Sequence, residues 1–256
     1  MNGVTSSPRS GDGWPAWCRT SRLTARAAWD ARGEEVSALA SRLVRQLRAY
    51  DEILGRADAW TLVDDDSTVS ADATLLGPVV AVRVHRDAEH IAFPAHGYVL
   101  SVAREAAAGF LAVRLRVGSS RVVKRIPANS AQVTIAGPFR NGERRSIDPH
   151  LVEGVLRGLV IAWEPGSAAV FDDDGASAAE GRGKFAPVIG QRTWVSDRIG
   201  EVETATSGVR THHADDGCYL FADDALDSKS AVHEVWSTLQ ANGVTAISRA
   251  TPTDPS

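Results

Sequence analysis

Between residues 36 and 54 the chain carries a pattern that a helix can use and a strand cannot. Val36, Leu39, Ala40, Leu43, Leu47, Tyr50 and Leu54 recur at three- and four-residue steps, which gathers them on one side of a helix of period 3.6. Glu34 and Glu35 stand in its first turn, where negative charge suits the helix dipole, and Gly55 can end it. Arg42, Arg45 and Arg48 fall on its wet side. An apolar face of this width needs another layer to cover it, and the flanking sequence supplies one in the form of strands.

Leu23 to Trp29 alternates as a first strand, and Trp60 to Val63 as a short one before the polar loop at Asp64, Asp65 and Asp66. Residues 79 to 85 satisfy two patterns. Val80, Val82 and Val84 alternate with Ala81, Arg83 and His85 like a strand, while Pro78 can open a helix. Tyr98 to Val102 and Phe110 to Val117 read as a meander. In the latter Leu111, Val113, Leu115 and Val117 share one face, with Arg114 and Arg116 on the other. Arg121 to Ile126 and Gln132 to Ala136 continue it.

A second helix opens at Asp148-Pro149, an N-cap acid before proline, and runs to Trp163. Ala168 to Phe171, Thr193 to Val195 and Gly217 to Ala222 are further strands, with a Gly/Ala/Asp loop over Asp172 to Lys184. Ser228 to Asn242 is a third helix closed by Gly243, and Val244 to Ile247 a last short strand. No regular strand–helix–strand rhythm appears. The expected class is α+β: a mostly antiparallel sheet packed by three main helices at about 34–54, 149–163 and 228–242. Residues 1–20 and 251–256 read as disordered tails around one domain at 21–250, although Trp14 and Trp17 are unusual in a tail.

Charge is distributed unevenly although the net charge is only −4. From Arg104 to Arg145 nine basic residues face two acids, whereas from Glu164 to Glu234 fourteen acids face six bases. Clustered charge of one sign steers partners of the other. No apolar run reaches the roughly 20 residues that span a bilayer, and the N-terminus lacks a secretory layout, so no membrane partner is expected and the location is expected to be cytoplasmic. Two cysteines, Cys18 and Cys218, allow neither a disulfide framework nor a four-cysteine zinc site.

Catalytic patterns are incomplete. His85-Arg86-Asp87 lacks the asparagine that a kinase catalytic loop places after it, and no glycine-rich loop precedes it. His212 and His213 are adjacent on a strand-like segment, so they point to opposite faces and cannot both enter one metal site with Asp215 and Asp216. Gly181-Arg182-Gly183 is only a fragment of a nucleotide loop. No metal and no cofactor is expected, and a binding protein fits better than an enzyme. Trp29, Trp60, Trp163 and Trp236 sit in expected elements as core, which leaves Trp14, Trp17 and Trp194 as free contact residues.

The order of several short motifs resembles the immunity protein 52 family of bacterial polymorphic toxin systems. They are Trp29-Asp30-Ala31-Arg32 with Glu34, Gly97-Tyr98, Val117-Gly118, Pro127 with Asn129, Leu159 to Pro165, Trp194, and Leu239 to Gly243. The N-terminal tail, the strand-like stretch Pro78 to His90 and the long loop Asp172 to Lys184 depart from that pattern. The resemblance implies a non-enzymatic protein that silences a cognate toxin, a nuclease of restriction-endonuclease fold, by blocking its cleft. Acidic side chains could then mimic phosphates in a cationic cleft. Asp172, Asp173 and Asp174 are the first candidates, followed by Asp64, Asp65 and Asp66, by Asp215 and Asp216, and by Trp194. The alternative is a nucleic-acid- or phosphate-binding surface on the basic strand face 114–125, where Arg114, Arg116, Arg121, Lys124 and Arg125 lie.

Overall fold

The first strand among the described residues lies in the middle of the sheet. In the computed structural model, which describes residues 14–55, 59–122, 127–183 and 185–247, β1 (Arg22–Trp29) pairs with β6 (Asn129–Ala136) on one side and β9 (Ser167–Phe171) on the other. The remaining strands are β2 (Trp60–Leu62), β3 (Thr68–Val69), β4 (Tyr98–Ala106), β5 (Gly109–Val117), β10 (Arg192–Ser196), β11 (Val209–His213) and β12 (Gly217–Ala222). They form a ten-stranded sheet in the order β11-β12-β10-β9-β1-β6-β5-β4-β2-β3. Every neighbouring pair is antiparallel. A separate ribbon joins β7 (Phe139–Arg140) to β8 (Glu143–Arg144). The helices are α1 (Val36–Leu54), α2 (Ala73–Ala81), α3 (Pro149–Trp163), α4 (Asp173–Ala179) and α5 (Ser228–Ala241). The α+β class and the three main helices are as the sequence pattern requires.

Strand alternation divides the sheet into two unequal cores. Leu23, Ala25, Val113, Leu115, Val133 and Ile135 face α1 and α3 in the larger one. Val195, Cys218 and Leu220 point the other way, onto Val232, Val235 and Leu239 of α5. Helices α1 and α3 approach closely because Gly154 and Gly158 leave room. A Cβ at Gly158 would lie 2.5 Å from the Tyr50 ring, and one at Gly154 would lie 2.9 Å from Ile53.

At the end of α3, the fully buried Trp163 stacks on Trp29 with ring centroids 5.5 Å apart, and its indole N–H donates to Gln46 of α1 at 2.8 Å. Gln46 in turn donates to the Tyr50 hydroxyl at 3.0 Å, which donates to the carbonyl of Val155. Arg42 and Arg45 are not merely solvated, because their guanidinium groups donate to the Ala162 and Ile161 carbonyls, and Arg48 reaches that of Ala71. Cations placed on the last carbonyls of a helix satisfy groups that have no intrahelical partner.

Several expectations require correction. Residues 79–85 are neither strand nor the start of a helix. α2 begins earlier, at Ala73, where the Asp72 carboxylate accepts from Thr74 N–H at 2.8 Å, and it runs through Pro78 because Leu76 and Val80 are buried against the core. The stretch after Phe171 contains α4 rather than a continuous loop. Asp172 caps it and alanines fill it, a combination whose helical preference is masked by its Gly/Asp content. Of the expected N-terminal tail, the described part is anchored. Ala16–Arg19 forms a 3-10 turn with Trp17 and Cys18 buried, and Ile147 N–H donates to the Cys18 carbonyl. Residues 244–247 are not a strand; Val244 is instead buried in the smaller core. Arg121 and Val122 belong to no strand, while residues 1–13, 123–126 and 251–256 lie outside the described residues.

Replacing Gln46 with leucine strands the Trp163 N–H in a dry core and takes away the hydrogen bond to Tyr50. The expected loss is about 2 kcal/mol of unfolding free energy, measured by urea denaturation.

Candidate partner-binding surface

The acidic runs have different structural roles. Asp172 is the N-cap of α4, and its carboxylate accepts from Gly175 N–H at 2.7 Å, Gln191 Nε2 at 3.0 Å and the Ser228 hydroxyl at 2.5 Å. It ties α4 to α5 and has little capacity left for a partner. Asp173 and Asp174 stand outside, with side chains 92% and 73% exposed, loosely paired to Arg22 and Lys229. Asp215 and Asp216 are the central residues of the β11–β12 turn, with φ of 56° and 54°. A two-residue hairpin of type I′ needs positive φ at both central positions, and aspartate tolerates it, so that pair is explained by the turn. Asp215 also accepts from the Tyr219 hydroxyl at 2.8 Å. His213 and His212 end β11 as exposed strand residues.

Asp64, Asp65 and Asp66 turn between β2 and β3. The Ser67 hydroxyl and N–H donate to Asp65, holding its carboxyl below the usual carboxylate range. Arg83 lies 3.7 Å from Asp64 and 3.5 Å from Asp65.

Strand direction keeps the three groups apart. The Asp64–Asp66 turn and the Asp215–Asp216 turn hang from opposite edges of the ten-stranded sheet. Asp172 follows β9 at the end opposite to the Asp215–Asp216 turn. They do not form a single acidic set. Trp194, expected as a free contact, is 1% exposed and packs against Tyr219; Trp17 is 3% exposed beneath Arg192. Both are core residues. Conversely Trp236, expected in the core, is only half-buried, with the Arg182 guanidinium 5.6 Å above its ring.

Beside the Asp64–Asp66 turn lies a feature the sequence did not reveal. Val63, Leu75, Val82, Ile91 and Phe93 are each between 39% and 66% exposed. Leu75 and Val82 share one face of α2 by their seven-residue spacing. Arg83 links that helix end to the acidic turn, and bridges Val84–Tyr98 and Arg86–Ala92 fold Ile91 and Phe93 back alongside. Alternation within 79–85 concealed this group, because a strand reading turns these valines inward.

Among the described residues, the other face of the sheet carries no helix over β4, β5 and β6. Its outward residues include Ser101, Ala112, Gln132 and Thr134, with Arg114 and Arg116 exposed on β5 and Arg26 on β1. Lys124 and Arg125 of the expected basic face lie outside the described residues. Next to Arg26 a cavity of about 400 Å³ opens between β1 and α4, lined by Ala28, Phe171, Ala176, Pro187 and Ile189 among others.

Some of the residues quoted for the family resemblance, Asp30, Arg32, Glu34, Asn129 and Glu164, lie together at one end of the sheet, whereas Leu239 belongs to the smaller core. Arg32 and Arg42 both pair with Glu34, and Arg42 also reaches Glu164 at 3.2 Å. Asn129 accepts from Ser119 N–H and donates to the carbonyls of Asp30 and Ser119. Burial alone would raise the Glu164 pKa, but the Arg42 hydrogen bonds and the surrounding arginine charges outweigh it and hold the carboxyl below its ordinary value. This cluster joins β1, α1 and α3, and its role is structural.

No protein-family model matches the chain, so the likeness to the immunity protein 52 family rests on the residues named for it. No curated protein matches it either. Among solved structures, the Pseudomonas aeruginosa T6SS protein PA0821 is similar over 91% of this chain and 76% of that chain, with 10% sequence identity and a TM-score of 0.47. A likeness of that degree carries no inference about what this chain binds. Among the described residues no helix is long and apolar enough to cross a membrane.

Two measurements check the site assignments. Asp172→Ala should cost about 1–2 kcal/mol through the lost cap and tie, whereas Asp173→Ala and Asp174→Ala should each stay within about 0.5 kcal/mol, read by thermal or urea unfolding. Burial pushes the Cys218 thiol up to about 11 and Cys18 higher still. At pH 7 both should therefore resist iodoacetamide in the folded protein and react only after denaturation, as followed by intact mass.

Proposed function

We propose that this chain is a non-enzymatic binding protein of the immunity type, which captures a cognate toxin protein and blocks its working surface. The observation that carries the reading is the exposed apolar group Val63, Leu75, Val82, Ile91 and Phe93 beside the acidic turn Asp64–Asp66. Protein interfaces combine an apolar centre that is desolvated on binding with a polar, charged rim. Exposed apolar side chains gathered in one region of a surface mark such sites.

The sequence resemblance supplies the partner class, a restriction-endonuclease-fold nuclease. The cleft of such an enzyme is cationic because it holds phosphates. Three carboxylates on a tight turn would occupy it as phosphate mimics, while the apolar side chains hold the complex together after encounter. In this arrangement Asp64, Asp65 and Asp66 are the contact acids. Asp173 and Asp174 offer a second exposed pair at a different corner, while Asp172 and Trp194 serve the fold. A second reading takes Arg114 and Arg116 as a phosphate- or nucleic-acid-binding face, favoured by their exposure on the open sheet.

The test is co-expression with the product of the neighbouring gene in a host that this product kills, together with capture of that product on the tagged chain. Growth rescue with capture is expected. The triple variant Asp64→Asn, Asp65→Asn and Asp66→Asn should slow association about tenfold at low salt, and Val82→Glu should accelerate dissociation. Rescue and rates that are unchanged in both variants would refute the assigned surface. Absence of capture and rescue by the wild-type chain would refute the immunity reading itself.

A further inference from the structure

We propose that the open face of β4, β5, β6 and β1 is a docking surface for an acidic protein segment, which lies along Arg114, Arg116 and Arg26 and seats one apolar side chain in the adjoining cavity. Two observations meet at Arg26. It belongs to the outward row in which Arg26 lies opposite Gln132, and Gln132 opposite Arg114. It also lines the cavity of about 400 Å³.

Charge argues for the chemistry of the occupant. Among the described residues the guanidinium groups of Arg26, Arg114 and Arg116 make no hydrogen bond or ion pair, and all three residues are exposed. The carboxylate on the same face, Glu105, is already held by both terminal nitrogens of Arg144 at 2.6 Å. The region therefore presents three uncompensated cations of like sign. Arg114 and Arg116 are two residues apart on one strand, roughly 7 Å, and Arg26 stands two strands away from Arg114, roughly 10 Å. An extended segment with carboxylates at alternate positions repeats the first spacing. Small and uncharged neighbours, Ser101, Ala112, Gln132 and Thr134, let such a segment lie close to the sheet.

The cavity adds a direction. Arg26 forms one side and Glu180, on the α4 side, another, with Ala28, Phe171, Ala176 and Ile189 between them. Glu180 disfavours a carboxylate within the cavity, so an apolar side chain enters while its acidic neighbours remain over the arginines. A protein segment is favoured over single-stranded nucleic acid. Base stacking needs ring faces free on the surface, whereas Phe110, beside Arg114, is covered by the Arg144 guanidinium at 5.3 Å and Phe171, in the outward row of β9, lines the cavity.

This surface lies on the opposite side of the sheet from α2, so the proposal stands independently of the contact assigned to Asp64–Asp66. The experiment is fluorescence anisotropy of the full chain with fluorescein-labelled peptides at low salt. The probe carries glutamates at alternate positions followed by a leucine, beside a version with glutamine for glutamate, a version with glycine for leucine, and a labelled single-stranded oligonucleotide. The acidic leucine peptide should bind, and the double variant Arg114→Ala, Arg116→Ala should weaken it about tenfold or more, with Arg19→Ala, an exposed arginine away from the sheet, leaving it unchanged. Ala176→Trp, which fills the cavity, should reduce affinity to that of the glycine peptide, while unchanged melting temperatures verify folding. No binding of the acidic leucine peptide, binding indifferent to the two arginines, or tighter binding of the oligonucleotide would overturn the proposal.

Discussion

Trp163 joins the three layers that matter most. Its ring stacks on Trp29 at the end of β1, its N–H is held by Gln46 inside α1, and its carbonyl accepts from Arg32 on the chain leaving β1. A large side chain in a dry core can be fixed this tightly only if its polar atom is satisfied, and Gln46 has to be buried with it for that purpose. Once Trp163 is placed, the last carbonyls of α3 fall within reach of Arg42 and Arg45, and Glu34 and Glu164 complete the charge balance. The polar cluster at this end therefore follows from one buried indole.

Much of the framework was legible because its signals are periodic. The α1 stripe, the alternation through β5 and the Asp148-Pro149 start of α3 each state their own structure without help from the rest of the chain. The misreadings have a common physical origin in tertiary contacts that override local preference. α2 passes through Pro78 because Leu76 and Val80 gain burial, and Trp17 leaves its expected tail because Arg192 offers a cation for its face. Trp194 was expected to be free on residue type alone, yet strand alternation directs it into the larger core.

The candidate surfaces were harder to read for a different reason. Runs of aspartate look alike in sequence, but they do three jobs here: capping a helix, permitting a positive-φ turn, and decorating an exposed turn. Exposed carboxylates remain at the Asp64–Asp66 turn and at Asp173 and Asp174, whereas Asp172 and Asp215 are engaged within the fold. The exposed apolar group near α2 escaped notice because its members come from separate elements, and the arginine row on the open sheet required strand register to bring Arg26 opposite Gln132 and Gln132 opposite Arg114. Both surfaces are properties of assembly.

The central position of β1 has a further consequence for how the molecule is made. Ala25 pairs with Val133 on one side and with Val170 on the other. β1 must therefore wait, unpaired, until β6 and β9, far later in the sequence, have been synthesised. Sequence-distant pairing of this kind is slow, because loop closure is paid before the contacts reward it. During that interval Leu23, Ala25, Ala27 and Trp29 form an apolar strand with two open edges, the arrangement most prone to pair with another chain. Arg22 and Arg26 place charge within the same strand, so the arginines of β1 also act as guards of the nascent chain.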